Sequence, residues 1–373
     1  MLNSRSLVSP TSSPLLERAL RHKLQRRNEV GGSLGELGPL AVRLGLMQNS
    51  LKPVLHEPQL LVFAADHGLA VEGISDAEAR PTHDTVRMLL TNQLPLTVFA
   101  RAHQLEVTVV DCGMAQTLPP HDRLLMRKIA HGTRNVRSSP AMSAEQAHAG
   151  MRAGMEIGDK LQGNVTVFAG VGVGANESAA LVLSRLTRTS VRELVTTGPD
   201  MNADYLSHLM TVLKVAKQRH RDAVEPLDVL AAFGGFEVAV MVGVMLMATS
   251  KRHLIVVDGM PACAALMLAA RIAPPVTDYC VFCRSHGHRG LDQTLHLFRA
   301  SALLELGMDS TDGTGAILAW PLMKSAAALL TELADGEEPG PTHPDGLDDR
   351  VDPDEFFVEP QPAVPSPFGP ALY

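Results

Sequence analysis

VTVFAGVGVGANESAALVLSRL, residues 165–186, places an unbroken apolar run, Val165 to Ala169, ahead of glycines at 170, 172 and 174. A helix from about Asn176 to Leu186 follows. A strand buried on both faces reads as a continuous apolar run, whereas a half-solvated strand alternates. Glycines between such a strand and a helix let backbone N–H groups approach an anion at the helix start. The likeness to a dinucleotide fingerprint is superficial, because the G-x-G-x-G spacing has no third glycine at the required place and lies in mid-chain. Phosphate contact at the helix start is the reading that stands, with Gly172, Val173, Gly174, Ala175 and Asn176 as its candidate residues.

Outward from this stretch the same unit recurs. Leu60 to Ala65 runs into Asp66-His67-Gly68, and Leu105 to Val110 into Asp111-Cys112-Gly113. Val229 to Phe233 leads to Gly234-Gly235-Phe236-Glu237 and a long helix to about Thr249. Leu254 to Val257 ends in Asp258-Gly259 before an Ala/Leu/Met helix to Arg271, and Tyr279 to Phe282 ends near Ser285-His286. Apolar runs alternating with helices imply an α/β fold with a mainly parallel, Rossmann-like sheet flanked by helices. Right-handed crossovers put every strand's carboxyl end on one edge, where open α/β sheets bind ligands. Asp66, His67, Asp111, Gly172, Gly174, Glu237, Asp258, Ser285, His286 and Asp312 all follow apolar runs, so they should line that rim. Each taken singly could equally be a cap or a turn residue.

Near the C-terminal end, residues 303–333 read LLELGMDSTDGTGAILAWPLMKSAAALLTEL. Two glycines precede an amphipathic helix whose start carries about half a positive charge. Gly313, Thr314 and Gly315 are therefore candidates for a phosphate, and Asp312 for handling a proton. The alternative is that Asp309 or Asp312 caps the helix. Upstream, Leu15 to Gln25 fits a short basic helix, and Ser33 with Glu36 fits a capping box on a helix towards Gln48.

Composition narrows the classes. The chain has 373 residues, 45% of them hydrophobic, enough for a large core. A formal net charge of -7 with only 4% aromatic residues argues against a nucleic-acid partner. Four cysteines in so long a chain make no disulfide framework, which points to a reducing compartment. The first ten residues lack the apolar core of a signal peptide, and the most apolar run, Val238 to Ala248, is too short to span a bilayer. A cytoplasmic protein without membrane partners is the expectation, and the Met-rich helix over 238–249 is most simply core. Cys280, Cys283, His286 and His288 look like metal ligands, but on a strand over 279–283 the two thiols face opposite sides, so no metal site is expected. Residues 1–14, rich in Ser and Pro, are expected to be disordered, as is the acidic, Pro-rich tail over 336–373; the enzyme-like unit is 15–335.

Several of these pieces occur in one order. GSLGEL at 32–37, FAADHG at 63–68, VVDCGM at 109–114 and GTRN at 132–135 are followed by FGGFEVAVMVGVMLMA at 233–248 and VVDGMPACAALMLA at 256–269. SH at 285–286 and GMDSTDGTGAILAWPL at 307–322 complete the set. The chain resembles the nicotinate-nucleotide:dimethylbenzimidazole phosphoribosyltransferase family, which makes the lower-ligand nucleotide of cobalamin. The resemblance implies a Rossmann-like sheet with a smaller helical lobe, built from the N-terminal helices and the C-terminal one, working as a homodimer. The implied reaction moves 5-phosphoribose from nicotinate mononucleotide to a benzimidazole nitrogen, giving alpha-ribazole 5'-phosphate and nicotinate, with no cofactor or metal.

On this resemblance Asp312 is the general base, in Thr-Asp-Gly-Thr-Gly where the family has Gly-Glu-Gly-Ser-Gly. Thr197, Gly198, Ser285 and His286 join the glycine loops around the phosphate and ribose, while Ser75 and Thr82 sit by the acceptor ring. The sequence also departs from the family. A second-loop glutamate is Gly170 here, and Glu177 need not replace it; the Pro-Gln of the base pocket is Pro81-Thr82; the Ser-Ala-Glu after Ser-His is His288-Arg289-Gly290. These changes fit an altered acceptor base, or alternatively a weak or inactive paralogue acting as a binding, regulatory or partner subunit.

Overall fold

The computed structural model describes residues 7–74, 80–197, 201–284, 288–308 and 312–333. Its centre is a seven-stranded sheet in the order β3-β2-β1-β4-β5-β6-β7. The strands are β1 (Gln59–Ala65), β2 (Glu106–Gly113), β3 (Leu124–Met126), β4 (Val165–Val171), β5 (Leu254–Val257), β6 (Cys280–Arg284) and β7 (Ala302–Leu304). Every pairing is parallel. β4 is buried along its whole length, as its unbroken apolar sequence requires. The order reverses direction between β1 and β4, which pair in register from Gln59 opposite Thr166 to Ala64 opposite Val171. That reversal opens a crevice at the carboxyl ends of these two strands.

Helices cover the sheet. α10 (Phe236–Ser250) is apolar on all sides and almost wholly buried, as expected for core. It packs on α5 (Ala144–Asp159) and α11 (Met260–Ile272) and reaches β1, β2, β4 and β5. α1 (Pro14–Gly31) and α2 (Leu37–Gln48) pack against α13 (Thr314–Thr331). By length and composition alone α13 could cross a membrane, yet more than half of it is buried in the fold.

Three local expectations are corrected. Val229 to Phe233 is not a strand but the end of α9 (Pro226–Phe233), with Pro226 in the first turn and Asp228 beside it. Short apolar runs do not distinguish strand from helix, and Pro at the first helical position decides here. Ser33 does not cap α2, which starts four residues later at Leu37 after Gly35 at φ 56°. The capping box that forms is at α5, where Ser143 and Gln146 bond each other's backbone N–H at 3.2 and 2.9 Å. Finally, within the stretch expected to be disordered, Val8 is fully buried and Tyr279 Oη donates to the Ser9 carbonyl at 2.8 Å. The acidic tail lies outside the described residues.

Candidate active site

β1 delivers Asp66 and His67 to the crevice, and β4 delivers Gly172 to Gly174. Asp66 ties the rim together. Its Oδ2 accepts from the Ala115 N–H at 2.7 Å, its carbonyl accepts from Thr133 at 3.0 Å, and its Oδ1 accepts from the Thr82 hydroxyl at 2.5 Å. Thr82 begins α3 (Thr82–Leu90) and is 2% exposed. Its hydroxyl also accepts from the Val173 N–H at 3.0 Å. Thr82, the residue expected beside the acceptor ring, thus bridges Asp66 and the glycine loop.

His67 lies behind that loop. Its Nε2 is 3.1 Å from Glu237 Oε1, and both side chains are buried. Burial acts to lower the His67 pKa, but the Glu237 carboxylate, helped by Asp66 and Glu177, outweighs it and raises the pKa above the ordinary value. Gly174, at φ 87°, is the N-cap of α6 (Ala175–Thr187), and a Cβ there would sit 3.0 Å from His67 Cβ. Left-handed backbone and a close approach coincide, so glycine is required. Ala175 follows as the first helical residue and is buried; Asn176 is exposed. Glu177, which sequence reasoning set aside, is half-buried, and its carboxyl accepts its own backbone N–H at the helix start. Burial pushes its pKa up, more than that bond and His67 pull it down. A first-turn Glu was the available signal.

At the second helix start the protein supplies a carboxylate of its own. Gly313, at φ 91°, is the N-cap of α13. Its N–H and that of Ala316 donate to Asp258 Oδ2 at 2.8 and 3.2 Å. Asp258 is 2% exposed, and Gly313, Thr314 and Gly315 are buried around it. At the helix start where a phosphate is expected, two N–H groups are thus bonded to the carboxylate of Asp258. Asp312, just before the cap, is half-buried, with its carboxyl lying against Gly259. Asp111 is also buried; its Oδ2 is 3.2 Å from Lys128 Nζ and its Oδ1 accepts from Met114 N–H, so it braces the rim from below. Thr197 is exposed, and its carbonyl accepts from the Arg289 N–H at 2.8 Å, linking the end of α7 (Val191–Val195) to α12 (Arg289–Phe298). Ser75, Gly198, Ser285 and His286 lie outside the described residues. Among the described residues no group of three His, Cys, Asp or Glu side chains could hold a metal ion.

A family described as "Phosphoribosyltransferase" matches residues 10–340. A nicotinate-nucleotide–dimethylbenzimidazole phosphoribosyltransferase from Cupriavidus taiwanensis is 42% identical over 328 residues, 86% of this chain and 95% of that protein. The protein of the same name from Cupriavidus necator is 42% identical over 332 residues, 87% and 96% of the two chains. This chain belongs to that phosphoribosyltransferase family. The crystal structure of the same-named protein from Thermus thermophilus superposes with a TM-score of 0.80 at 30% identity, covering 87% of this chain and 97% of that one. Within this family framework, Gly170 is packed shut rather than simply vacated. A Cβ there would lie 2.6 Å from Pro261 Cβ and 3.3 Å from Met241 Cε, so no carboxylate fits at that position in this chain.

Proposed function

We propose that this protein transfers 5-phosphoribose from nicotinate mononucleotide to 5,6-dimethylbenzimidazole, or a related base, releasing nicotinate and forming alpha-ribazole 5'-phosphate for cobalamin biosynthesis. The observation that carries this reading is family membership across nearly the whole folded chain, at 42% identity to enzymes bearing that name. In the proposed chemistry the acceptor's N–H proton passes to Asp312 as the ring nitrogen attacks ribose C1. The bond from C1 to the nicotinate nitrogen breaks, and its electron pair neutralises the pyridinium. A departing neutral ring needs no strong acid, whereas the incoming ring needs a base. Positive charge growing at C1 is also stabilised by a nearby carboxylate.

For the 5-phosphate we favour the start of α6, around Gly172 to Asn176, because Asp258 already occupies the start of α13. A phosphate there would lie near Glu177, whose pKa burial raises. A homodimer working in the cytoplasm completes the proposal. A homologue that only binds is not favoured, given the names of its relatives.

The test is chromatography of purified protein incubated with nicotinate mononucleotide and a panel of benzimidazoles, purines and phenols. Base-dependent nicotinate release is expected, and Asp312→Asn should lower kcat by about 10²-fold or more with unchanged folding. Folded protein that releases no nicotinate with any base would reject the activity; full turnover by the Asn variant would remove Asp312 from the chemistry.

A further inference from the structure

Asp312 is held from two sides by adjacent residues at the end of β5. On one side, the residue that follows it begins α13. A helix is commonly capped by the side chain of its own N-cap residue. Here the N-cap is Gly313, which has none, and the cap comes from Asp258, 55 positions away at the end of β5. Asp258 Oδ2 takes both the Gly313 and Ala316 N–H groups, at 2.8 and 3.2 Å, while only 2% of the residue is exposed. A side chain at 313 has no room to supply the cap, because φ is 91° and a Cβ would lie 2.8 Å from Ala169 Cβ. What the long-range cap adds is a fixed relation between the sheet edge and the backbone carrying Asp312.

On the other side lies Gly259. Its φ of 96° is open to glycine and strained for other residues, and a Cβ there would be 2.1 Å from Asp312 Cγ. The absent side chain is the seat of the Asp312 carboxyl. Seat and cap are adjacent residues of one turn, so the carboxyl and its backbone are referenced to the same strand end.

We propose that Asp258 and Gly259 are positioning residues for Asp312, the first fixing its backbone through the start of α13 and the second fixing its carboxyl in a side-chain-free seat. The proposal rests on Asp312 being the base. It gives the shorter acid a defined reach: with a methyl group at 259, the carboxyl must retreat by about 1.3 Å to reach ordinary contact at 3.4 Å. Misplacements of about 1 Å cost about 10²-fold in rate.

The experiment compares Gly259→Ala, Asp258→Ala and Asp258→Asn in the full chain, each alone and combined with Asp312→Asn. Base-dependent nicotinate release supplies kcat and KM, and circular dichroism melts report folding. Expected are a loss of about 10²-fold in kcat for Gly259→Ala, with KM for nicotinate mononucleotide within about twofold. Asp258→Asn, which keeps an acceptor oxygen, should lose less than Asp258→Ala. Each loss should nearly vanish in the Asp312→Asn background, because there is no base left to misplace. Losses of the same size in both backgrounds would overturn the positioning role while leaving Asp312 as base. An Asp312→Asn variant with full kcat would instead reject the base assignment and the proposal with it. Should Gly259→Ala fail to fold, the two Asp258 variants decide by the same criterion.

Discussion

Replacing Glu237 by Gln removes one charge from the most deeply buried ion pair of the rim and keeps the shape. Glu237 is 0% exposed, and neither carboxylate oxygen makes a hydrogen bond among the described residues. Its close partner is His67 Nε2 at 3.1 Å. Such a pair brings little net stability against an apolar equivalent, but removing one member strands the other and costs about 3–5 kcal/mol. The sign depends on pH. The His67 pKa is raised in the folded state, so the pair's contribution is fully present below the unfolded value of 6.5 and is lost as pH rises through the folded value. Above it the His67 ring is neutral, no charge pair remains to be broken, and the amide should be no worse. Urea unfolding of both proteins at pH 6 and pH 9 measures this. The expected difference is about 3–5 kcal/mol at pH 6, shrinking towards zero or reversing at pH 9, with unchanged m-values. A difference independent of pH, or larger at pH 9, would refute the reasoning.

Three further outcomes follow from the same geometry. Thr82→Val strands the Val173 N–H and one Asp66 oxygen, so it should cost roughly 2–3 kcal/mol in thermal melts, whereas Thr82→Ser should cost less; an unchanged melting point with an altered KM for the base would make Thr82 a ring contact after all. Burial, with Lys251 and His56, lowers the His253 pKa to about 4, so it stays neutral in the folded state while the unfolded chain takes up a proton below 6.5. Stability should therefore fall between pH 6.5 and 4, and His253→Gln should remove roughly 3 kcal/mol of that fall, read from unfolding curves across the range. All four cysteines are buried; burial pushes Cys280 up to about 12 and, with Glu237 and Asp111, Cys112 well above its usual range. Ellman's reagent at pH 8 should label none of them in native protein and all four in denaturant; rapid labelling without denaturant would contradict the packing.

What the sequence determined by itself was local. Five apolar runs, Leu60–Ala65, Leu105–Val110, Val165–Ala169, Leu254–Val257 and Tyr279–Phe282, coincide with strands to within one residue at their starts, because a strand buried on both faces can be written in few other ways. The ordered motifs also carried the family. Val229–Phe233 was misread for the same local reason, since five apolar letters suit a helix turn as well as a strand. The short edge strands Leu124–Met126 and Ala302–Leu304 carry too few residues to announce themselves.

Only the tertiary structure decided which polar residues on the rim meet one another. Asp66, His67, Glu237, Asp258 and Asp312 could be listed from the sequence as residues following apolar runs, but not paired. Asp258 reaches Gly313 across 55 residues, Thr82 reaches Val173 across 91, and His67 meets Glu237 from a different element. A glycine-rich helix start is open to any anion, and periodicity cannot say whether a phosphate or the chain's own carboxylate fills it. At α13 the fold brings the buried carboxylate of Asp258 to two of those N–H groups, because a buried polar group must be bonded where it lies.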